Sequence, residues 1–367
     1  MRILYVIDER GLTGGAHVAT ELLITALRKR GYTVDVMEAI RRNSFWGIIQ
    51  RAYFRFRSVL PLSLSKWMTP HPLFLRDPFC IKSHRMKKFD TVCVMAENSS
   101  LSEIVALLPP SVRKVQMIHT NYPAWAKVAH RDVIADGVLF EKFDCIACVG
   151  IIGARQFEDM FPRCKGKVLP FHNIIEQELE KQPKASQPTH SPLRLISLAR
   201  INDKQAKDGP RMIRIAKRLS DAGLNFIWDN YGGRGVGLQK CQKEVSRLGL
   251  ENVFRIHPYD PDARMKIASA DLFVLLSHYE GLPNVIYEAL LAGIPVFSTN
   301  VGGISEQIDD GSNGWLVKDD EESIVNRLSE LLSDASTINK AKCVASEYVY
   351  DNDKVISEQI RILTKEH

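Results

Sequence analysis

The sequence of 367 residues lacks any uninterrupted apolar run of the roughly 18 to 20 residues that a membrane-spanning helix needs. Its first residues, MRILYVIDERG, turn acidic too soon for a signal peptide, so we expect a cytoplasmic protein. The seven cysteines have no regular spacing, and Cys145 and Cys148 should lie on opposite faces of a predicted strand. These absences argue against an integral membrane protein, a disulfide scaffold and a CxxC metal or redox site.

What is present indicates a globular protein of more than one domain. Hydrophobic residues make up 45% of the chain and charged residues 25%, and the length suits two domains of about 150–200 residues. Alternating strand and helix patterns stop at a Pro-, Gln- and Ser-rich linker, 176–192, and then restart. We predict an α/β protein with two doubly wound, Rossmann-like domains, 1–175 and 193–345, facing each other across a cleft. A helical region, 346–367, should pack back on the amino-terminal domain.

One short stretch, SHYEGLPNVIYEALLAGIPVFST at 277–299, carries two glutamates with seven residues between them. Glu280 stands in a predicted loop at the carboxyl end of a strand, and Asn284 is expected to cap the helix that follows. Glu288 then lies about one turn inside that helix. Free amides at a helix start suit a diphosphate, and a carboxylate can accept hydrogen bonds from both hydroxyls of a ribose. A nucleotide sugar would satisfy all these positions, with its sugar at Glu280.

The segment EGLPNVIYEALLAGIPVFSTNVGGISEQIDDGSNGWLV, residues 280–317, resembles the carboxyl-domain signature of retaining GT-B glycosyltransferases of the family 4 type, or glycosyl transferases group 1. The resemblance covers most of the chain and is strongest over 193–317. It implies the GT-B fold, a role in bacterial cell-surface polysaccharide or lipopolysaccharide biosynthesis, and a metal-independent reaction with a UDP- or GDP-sugar as donor. The donor-binding residues that it implies are Gly281, Leu282, Pro283, Asn284, Val285 and Glu288.

The resemblance also supplies cations for the diphosphate. Arg200, at a predicted strand end in SLARINDKQAKDG, matches the family's arginine. The matching lysine is Lys204 or Lys207, since neither has the usual spacing from Arg200; Lys207 keeps register with the next helix and is preferred. We expect Arg200 and Lys207, with the helix amides, to stabilise the charge that grows on the departing diphosphate. No carboxylate can be identified as a nucleophile, so attack from the leaving group's face is the expected mechanism.

The amino-terminal half resembles the family more weakly. The segment QMIHTNYP resembles the family's strand that ends in a histidine near the transferred sugar, which is His119 here. The segment DERGLTGGAHVATELLITAL resembles the family's glycine-rich loop, so Gly14 and Gly15 should approach the diphosphate. The segment VLPFHNII resembles the one whose asparagine, here Asn173, precedes the linker.

Three further motifs have simpler interpretations. The run GGRGVG at 232–237 lacks the GxGxxG order of dinucleotide-binding loops, so a strand-to-helix turn is favoured. The Asp-x-Asp runs at 260–262 and 351–353 stand at predicted helix starts, where aspartate acts as a cap rather than a metal ligand.

Residues 41–90 form a basic aromatic segment. They contain eleven Lys and Arg, two Asp and nine large aromatic residues, a net charge of +9 against +6 for the whole chain. Such a composition suits an anionic membrane surface, so we expect peripheral association with the inner face of the cell membrane. A solvated basic face on an ordinary acceptor-side domain is the alternative. No RNA-binding motif is present, and nucleic acid is not an expected partner.

We therefore predict an enzyme that moves a sugar from a nucleoside diphosphate sugar to a cell-surface glycan or lipid-linked acceptor, with retention of anomeric configuration. Two other classes stay open: a nucleotide-sugar epimerase on the same fold, which would act without an acceptor, and a non-catalytic protein that binds sugar nucleotides. The predicted catalytic residues are His119, Arg200, Lys207 and Glu280.

Overall fold

The structure is a computed structural model that describes residues 1–7, 15–38, 86–95, 100–176, 189–201, 206–233 and 235–365. Within these ranges the chain forms two parallel sheets of six strands each. Some predictions concern residues outside these ranges and stay predictions. They are those for Gly14, Lys204, most of the linker and nearly all of the basic aromatic segment.

The first sheet comes from the amino-terminal half and has the strand order β2-β1-β3-β4-β5-β6. Its strands are short apolar runs because hydrophobic clusters cover both faces. Cys145 and Cys148 lie in different clusters, on opposite faces of one strand, as predicted. The strands are Arg2–Ile7 (β1), Thr33–Glu38 (β2), Thr91–Met95 (β3), Arg113–Ile118 (β4), Cys145–Val149 (β5) and Val168–Phe171 (β6).

The second sheet has the order β12-β11-β10-β7-β8-β9, which reverses direction between β7 and β10. Ligands of doubly wound proteins bind outside the carboxyl ends of the strands at such a reversal. The strands are Leu193–Leu198 (β7), Phe226–Gly233 (β8), Phe254–Pro258 (β9), Leu272–Leu275 (β10), Val296–Thr299 (β11) and Gly314–Val317 (β12).

Helices connect the parallel strands, and none among the described residues is both long and apolar enough to cross a membrane. The helices of the amino-terminal half are Gly15–Lys29 (α1), Ser100–Ala106 (α2), Tyr122–Val128 (α3), Val133–Phe140 (α4) and Ile151–Met160 (α5). Those of the carboxyl-terminal half are Gly209–Asp221 (α6), Gly235–Arg247 (α7), Asn284–Leu291 (α8), Glu321–Ser333 (α9), Ala335–Ser346 (α10) and Asn352–Thr364 (α11).

The last helix, α11, returns to the amino-terminal sheet. The Gln359 amide donates to the carbonyl oxygen of His172 at 2.8 Å, and the Thr91 hydroxyl donates to that of Leu363 at 2.9 Å. Apolar residues of α11 also lie in the same hydrophobic cluster as β1. The end of the chain therefore fastens the second half of the molecule to the first.

Candidate active site

Two neighbouring strands of the second sheet bring predicted catalytic residues to one edge. β7 ends two residues before Arg200, and β10 ends five residues before Glu280. Because β7 and β10 pair in parallel, their carboxyl ends meet at the point where the strand order reverses. Lys207, in the segment after β7, reaches the same edge.

Lys207 and Glu280 form an ion pair there. The Lys207 Nζ contacts Glu280 Oε1 and also donates to the Ser277 hydroxyl at 3.2 Å. The Ser277 hydroxyl in turn donates to Glu280 Oε1 at 2.7 Å. The charged side chains are only 16% and 15% exposed, and screening by water is weak at such sites. The fold thus joins two predicted catalytic residues and adds Ser277, which the sequence had not indicated.

The loop that carries Glu280 is held by β11 and by the turn after it. The Ser277 amide donates to Thr299 Oγ1 at 3.1 Å, and the Thr299 hydroxyl donates to the Ser277 carbonyl oxygen at 2.6 Å. Gly302 has a φ of +58°, and a Cβ at that position would overlap the carbonyl oxygen of Glu280. Only glycine lets this turn support the loop so closely.

Asn284 begins α8 but does not cap it, so the capping prediction is wrong. Pro283 is the N-cap and no side chain caps the helix. The Asn284 side chain instead donates to the carbonyl oxygen of Gly15 at 3.0 Å and accepts from the Asn173 amide at 2.7 Å. These bonds connect the two halves of the molecule. The backbone amides of Asn284 and Val285 have no acceptor within the helix, because they belong to its first turn.

Glu288 lies farther along α8, and its carboxylate makes no hydrogen bond with any residue that the structure describes. Burial raises the pKa of Glu288 to about 7, and the nearby Arg264 guanidinium opposes that rise. Arg264 itself pairs with Glu176, at the start of the linker. A half-buried carboxylate with open acceptor positions suits a ligand that brings its own donors, such as a pair of hydroxyls.

His119 lies at the carboxyl end of β4, against the loop from the other half. A Cβ at Gly281 would lie 2.6 Å from the His119 carbonyl oxygen and 2.7 Å from Val149 Cγ1, so this approach needs glycine. Both ring nitrogens of His119 are buried without a hydrogen-bond partner, and burial lowers its pKa to about 4. The ring is therefore neutral near pH 7, and its open nitrogens suit a polar ligand.

The other predicted residues lie at the margins of this arrangement. Arg200 is exposed and makes no ion pair with the described residues, so the structure does not join it to Lys207 and Glu280. Gly15 is the first residue of α1, and Leu282 is buried in the apolar cluster that both halves share.

Sequence reasoning missed Glu306, which links the two halves. Its carboxylate accepts from the backbone amides of Ile151 at 2.7 Å and Ile152 at 2.6 Å, at the start of α5. A carboxylate is favourable at the positive end of a helix. Glu306 lies within the 280–317 signature, but its partners are 155 and 154 positions away, so no local spacing could have revealed the contact.

The two Asp-x-Asp motifs lie where helical turns begin. Asp351 caps α11 by accepting from the Lys354 amide at 2.9 Å, as predicted. In the other motif, Asp260 accepts from the amide of Asp262 at 2.9 Å. Asp262 precedes a 3-10 turn, Ala263–Ser269, and makes no side-chain capping bond, so the capping prediction is wrong for this motif. No group of three or more His, Cys, Asp or Glu side chains in the described part of the chain is arranged to hold a metal ion.

The carboxyl-terminal half of the chain is similar to known proteins. Its sequence matches the family model described as glycosyl transferases group 1, over residues 179–347. Similar proteins include the putative colanic acid biosynthesis glycosyltransferase WcaL of Salmonella typhimurium, 30% identical over 184 residues, which are 47% of this chain and 45% of WcaL. Another is the lipopolysaccharide core biosynthesis glycosyltransferase LpsE of Rhizobium meliloti, 27% identical over 54% of this chain and 56% of LpsE. The chain spans about half the length of the curated relatives that it matches.

A solved structure extends the likeness to both halves. The Anabaena protein Alr3699/HepE in complex with UDP-glucose superposes with a TM-score of 0.69 and 17% identity, over the full length of both chains. At this identity the likeness shows the fold alone. The chain has the GT-B fold, and the predicted fold and the predicted resemblance to group 1 glycosyltransferases are confirmed.

Proposed function

We propose that this chain is a glycosyltransferase that moves a sugar from a nucleoside diphosphate sugar to a bacterial cell-surface glycan or glycolipid, with retention of anomeric configuration. The observation that carries the proposal is the Lys207–Glu280 ion pair, next to Gly281, which abuts His119 with its unpartnered ring nitrogens. The names of the relatives, in colanic acid and lipopolysaccharide core biosynthesis, support the acceptor class. The complex of HepE with UDP-glucose supports a UDP-sugar as donor.

The donor would bind across the interdomain contact. Glu288 would accept hydrogen bonds from the ribose hydroxyls, because its carboxylate has open acceptor positions. The diphosphate would lie against Lys207 and the first-turn amides of α8, and the exposed Arg200 would turn toward it when the donor binds. The sugar hydroxyls would then reach Glu280 and the neutral His119 ring.

In the proposed reaction, the acceptor hydroxyl attacks the anomeric carbon from the face that the diphosphate leaves. The bond from that carbon to the diphosphate oxygen breaks with both electrons going to the oxygen, which takes up the proton of the acceptor hydroxyl. Lys207 and Arg200 stabilise the charge that grows on the diphosphate, a role that a bound metal would otherwise have. We therefore propose that the reaction is independent of added metal and persists in EDTA.

The acceptor would be lipid-linked and would be met at an anionic membrane surface through the basic aromatic segment 41–90. The purified protein should sediment with vesicles containing anionic lipid at low salt and leave them near about 1 M salt, where screening is strong. Replacing Arg51, Arg55 and Arg57 with Glu should abolish sedimentation and leave UDP binding unchanged. A wild-type protein that ignores anionic vesicles at low salt would exclude this surface.

The function is tested with a donor panel of UDP-glucose, UDP-galactose, UDP-N-acetylglucosamine and GDP-mannose. Each donor is offered with and without lipid-linked oligosaccharide or lipopolysaccharide as acceptor, and release of nucleoside diphosphate is measured. Acceptor-dependent release with a product of unchanged anomeric configuration would support the proposal. A change of the sugar without acceptor would indicate an epimerase, and binding without turnover would indicate a non-catalytic protein.

A further inference from the structure

His278 lies two residues before Glu280 and between two carboxylates from different segments of the chain. Its Nδ1 lies 2.7 Å from Asp319 Oδ2, and its Nε2 lies 3.2 Å from Asp208 Oδ2. Each ring nitrogen thus faces a carboxylate oxygen, which is a hydrogen-bond acceptor. His278 therefore joins the segment before α6 to the segment before α9.

Each carboxylate is itself fixed by α6. Asp208 is the N-cap of α6 and accepts from the Arg211 amide at 3.1 Å; its backbone is in the left-handed region, with a φ of +32°. Asp319 pairs with the guanidinium of Arg211, which is 3% exposed. The same guanidinium donates to the carbonyl oxygen of Leu276 at 2.8 Å. The ring is thus set between two carboxylates that have little freedom to move.

These contacts lie directly beside the Lys207–Glu280 pair. Lys207 precedes Asp208, and the amide of His278 donates to the carbonyl oxygen of Ala206 at 2.9 Å. His278 therefore bonds the loop that carries the carboxylate to the residues on both sides of Lys207.

We propose that His278, with Asp208 and Asp319, is a positioning network that fixes Lys207 and Glu280 in register for sugar transfer. The proposal rests on the proposed function. The His278 ring bonds to Asp208 and Asp319, so it acts through the segments that these residues hold. A misplacement of about 1 Å in a reacting assembly can cost on the order of 100-fold in rate. The network would therefore control turnover and leave nucleotide binding unchanged.

The test compares His278→Ala with Arg214→Ala. Arg214 forms an exposed ion pair with Glu321, between helices α6 and α9, and among the described residues its guanidinium makes no hydrogen bond to His278, Asp208 or Asp319. Both variants are assayed with the donor of the panel that turns over fastest, and UDP affinity is measured by calorimetry. We expect His278→Ala to lower kcat by about 10- to 100-fold, with the donor KM and the UDP Kd within about threefold of wild type. Arg214→Ala should match the wild type.

Two further variants separate positioning from a structural role. His278→Gln keeps a donor for one carboxylate, so its kcat should lie between those of the wild type and His278→Ala. If His278→Ala does not fold, His278→Gln takes its place in the test. Adding His278→Ala to Lys207→Ala should cause almost no further loss, because the network acts through Lys207.

Equal kcat values for His278→Ala and Arg214→Ala, or a parallel loss of UDP affinity, would overturn the positioning proposal alone. A wild-type protein that releases no nucleoside diphosphate from any donor of the panel would overturn the proposed function, and the positioning role with it.

Discussion

The two glutamates of the signature have opposite surroundings, although only seven residues separate them. Glu280, in the loop after β10, is bonded to Lys207 and Ser277. Glu288, in α8, has no hydrogen bond within the described residues, and burial raises its pKa to about 7. The Glu280 carboxylate is therefore paired with a cation, whereas the charge of the Glu288 carboxylate is offset only by the nearby Arg264 guanidinium.

We propose that this difference gives the two carboxylates different tasks. An ion pair that is already formed keeps its groups charged and oriented, which is what stabilising a growing charge requires. A carboxylate with open acceptor positions gains most from a ligand that brings donors. Two carboxylates of one site can have different roles because their surroundings differ, even when the residue type is the same. We therefore expect the loop to govern turnover and the helix to govern nucleotide affinity.

The largest effect should come from the loop. Lys207→Ala and Glu280→Ala should each lower kcat by about 100- to 1,000-fold, because each removes charge at the reacting centre and leaves its partner unpaired. The UDP Kd should change far less than kcat. Lys204→Ala is the control, since Lys204 is the other lysine that the sequence spacing allows at the diphosphate. It should leave kcat nearly unchanged. A silent Lys207→Ala with an impaired Lys204→Ala would reverse the assignment.

Glu288→Ala should act on binding instead. Loss of two charged hydrogen bonds to the ribose should weaken UDP affinity by about 10- to 100-fold, measured by calorimetry, while the protein stays folded. Glu288→Gln keeps one acceptor oxygen, so its UDP affinity should lie between those of the wild type and Glu288→Ala. Unchanged UDP affinity in both variants would remove Glu288 from the nucleotide site and would break the contrast with Glu280.

The parts of this site that the sequence predicts depend on the alternation of strands and helices along the chain. Parallel strands place their carboxyl ends at one edge of a sheet, so that alternation is enough to bring the segment after β7 and the loop after β10 together. The partners of His278 lie 70 and 41 positions away, and no spacing rule reaches so far. The capping preference of Asn284 is real, but bonds to Gly15 and Asn173 compete for the same side chain, and tertiary contacts win.

The contrast also predicts a pH dependence of stability. Because the pKa of Glu288 is raised by folding, the folded protein binds more protons than the unfolded chain between about pH 4.5 and 7, so this residue lowers the unfolding free energy as pH rises through that window. Glu288→Gln should therefore stabilise the protein at pH 8 by on the order of 2 kcal/mol and change it little at pH 4.5. Urea unfolding of both proteins at the two pH values measures this. An equal effect at both pH values would show that burial does not disfavour the ionised form.

The smallest effect is expected for a third glutamate of the same signature, which bonds to protein rather than to ligand. Glu306 accepts from two amides at the start of α5, across the two halves of the molecule. Glu306→Gln removes the charge and one acceptor, and a charge at a helix terminus contributes about 0.3–1 kcal/mol. We expect a loss of about 1 kcal/mol in unfolding free energy, with kcat and UDP Kd within about threefold of wild type. Asp320→Asn, at the start of α9, is the matched control, since its carboxylate caps a helix within one half. If Glu306→Gln instead lowers kcat as much as Glu280→Ala does, the contact between the two halves takes part in catalysis. Turnover would then depend on Glu306 and α5 as well as on the loop that carries Glu280.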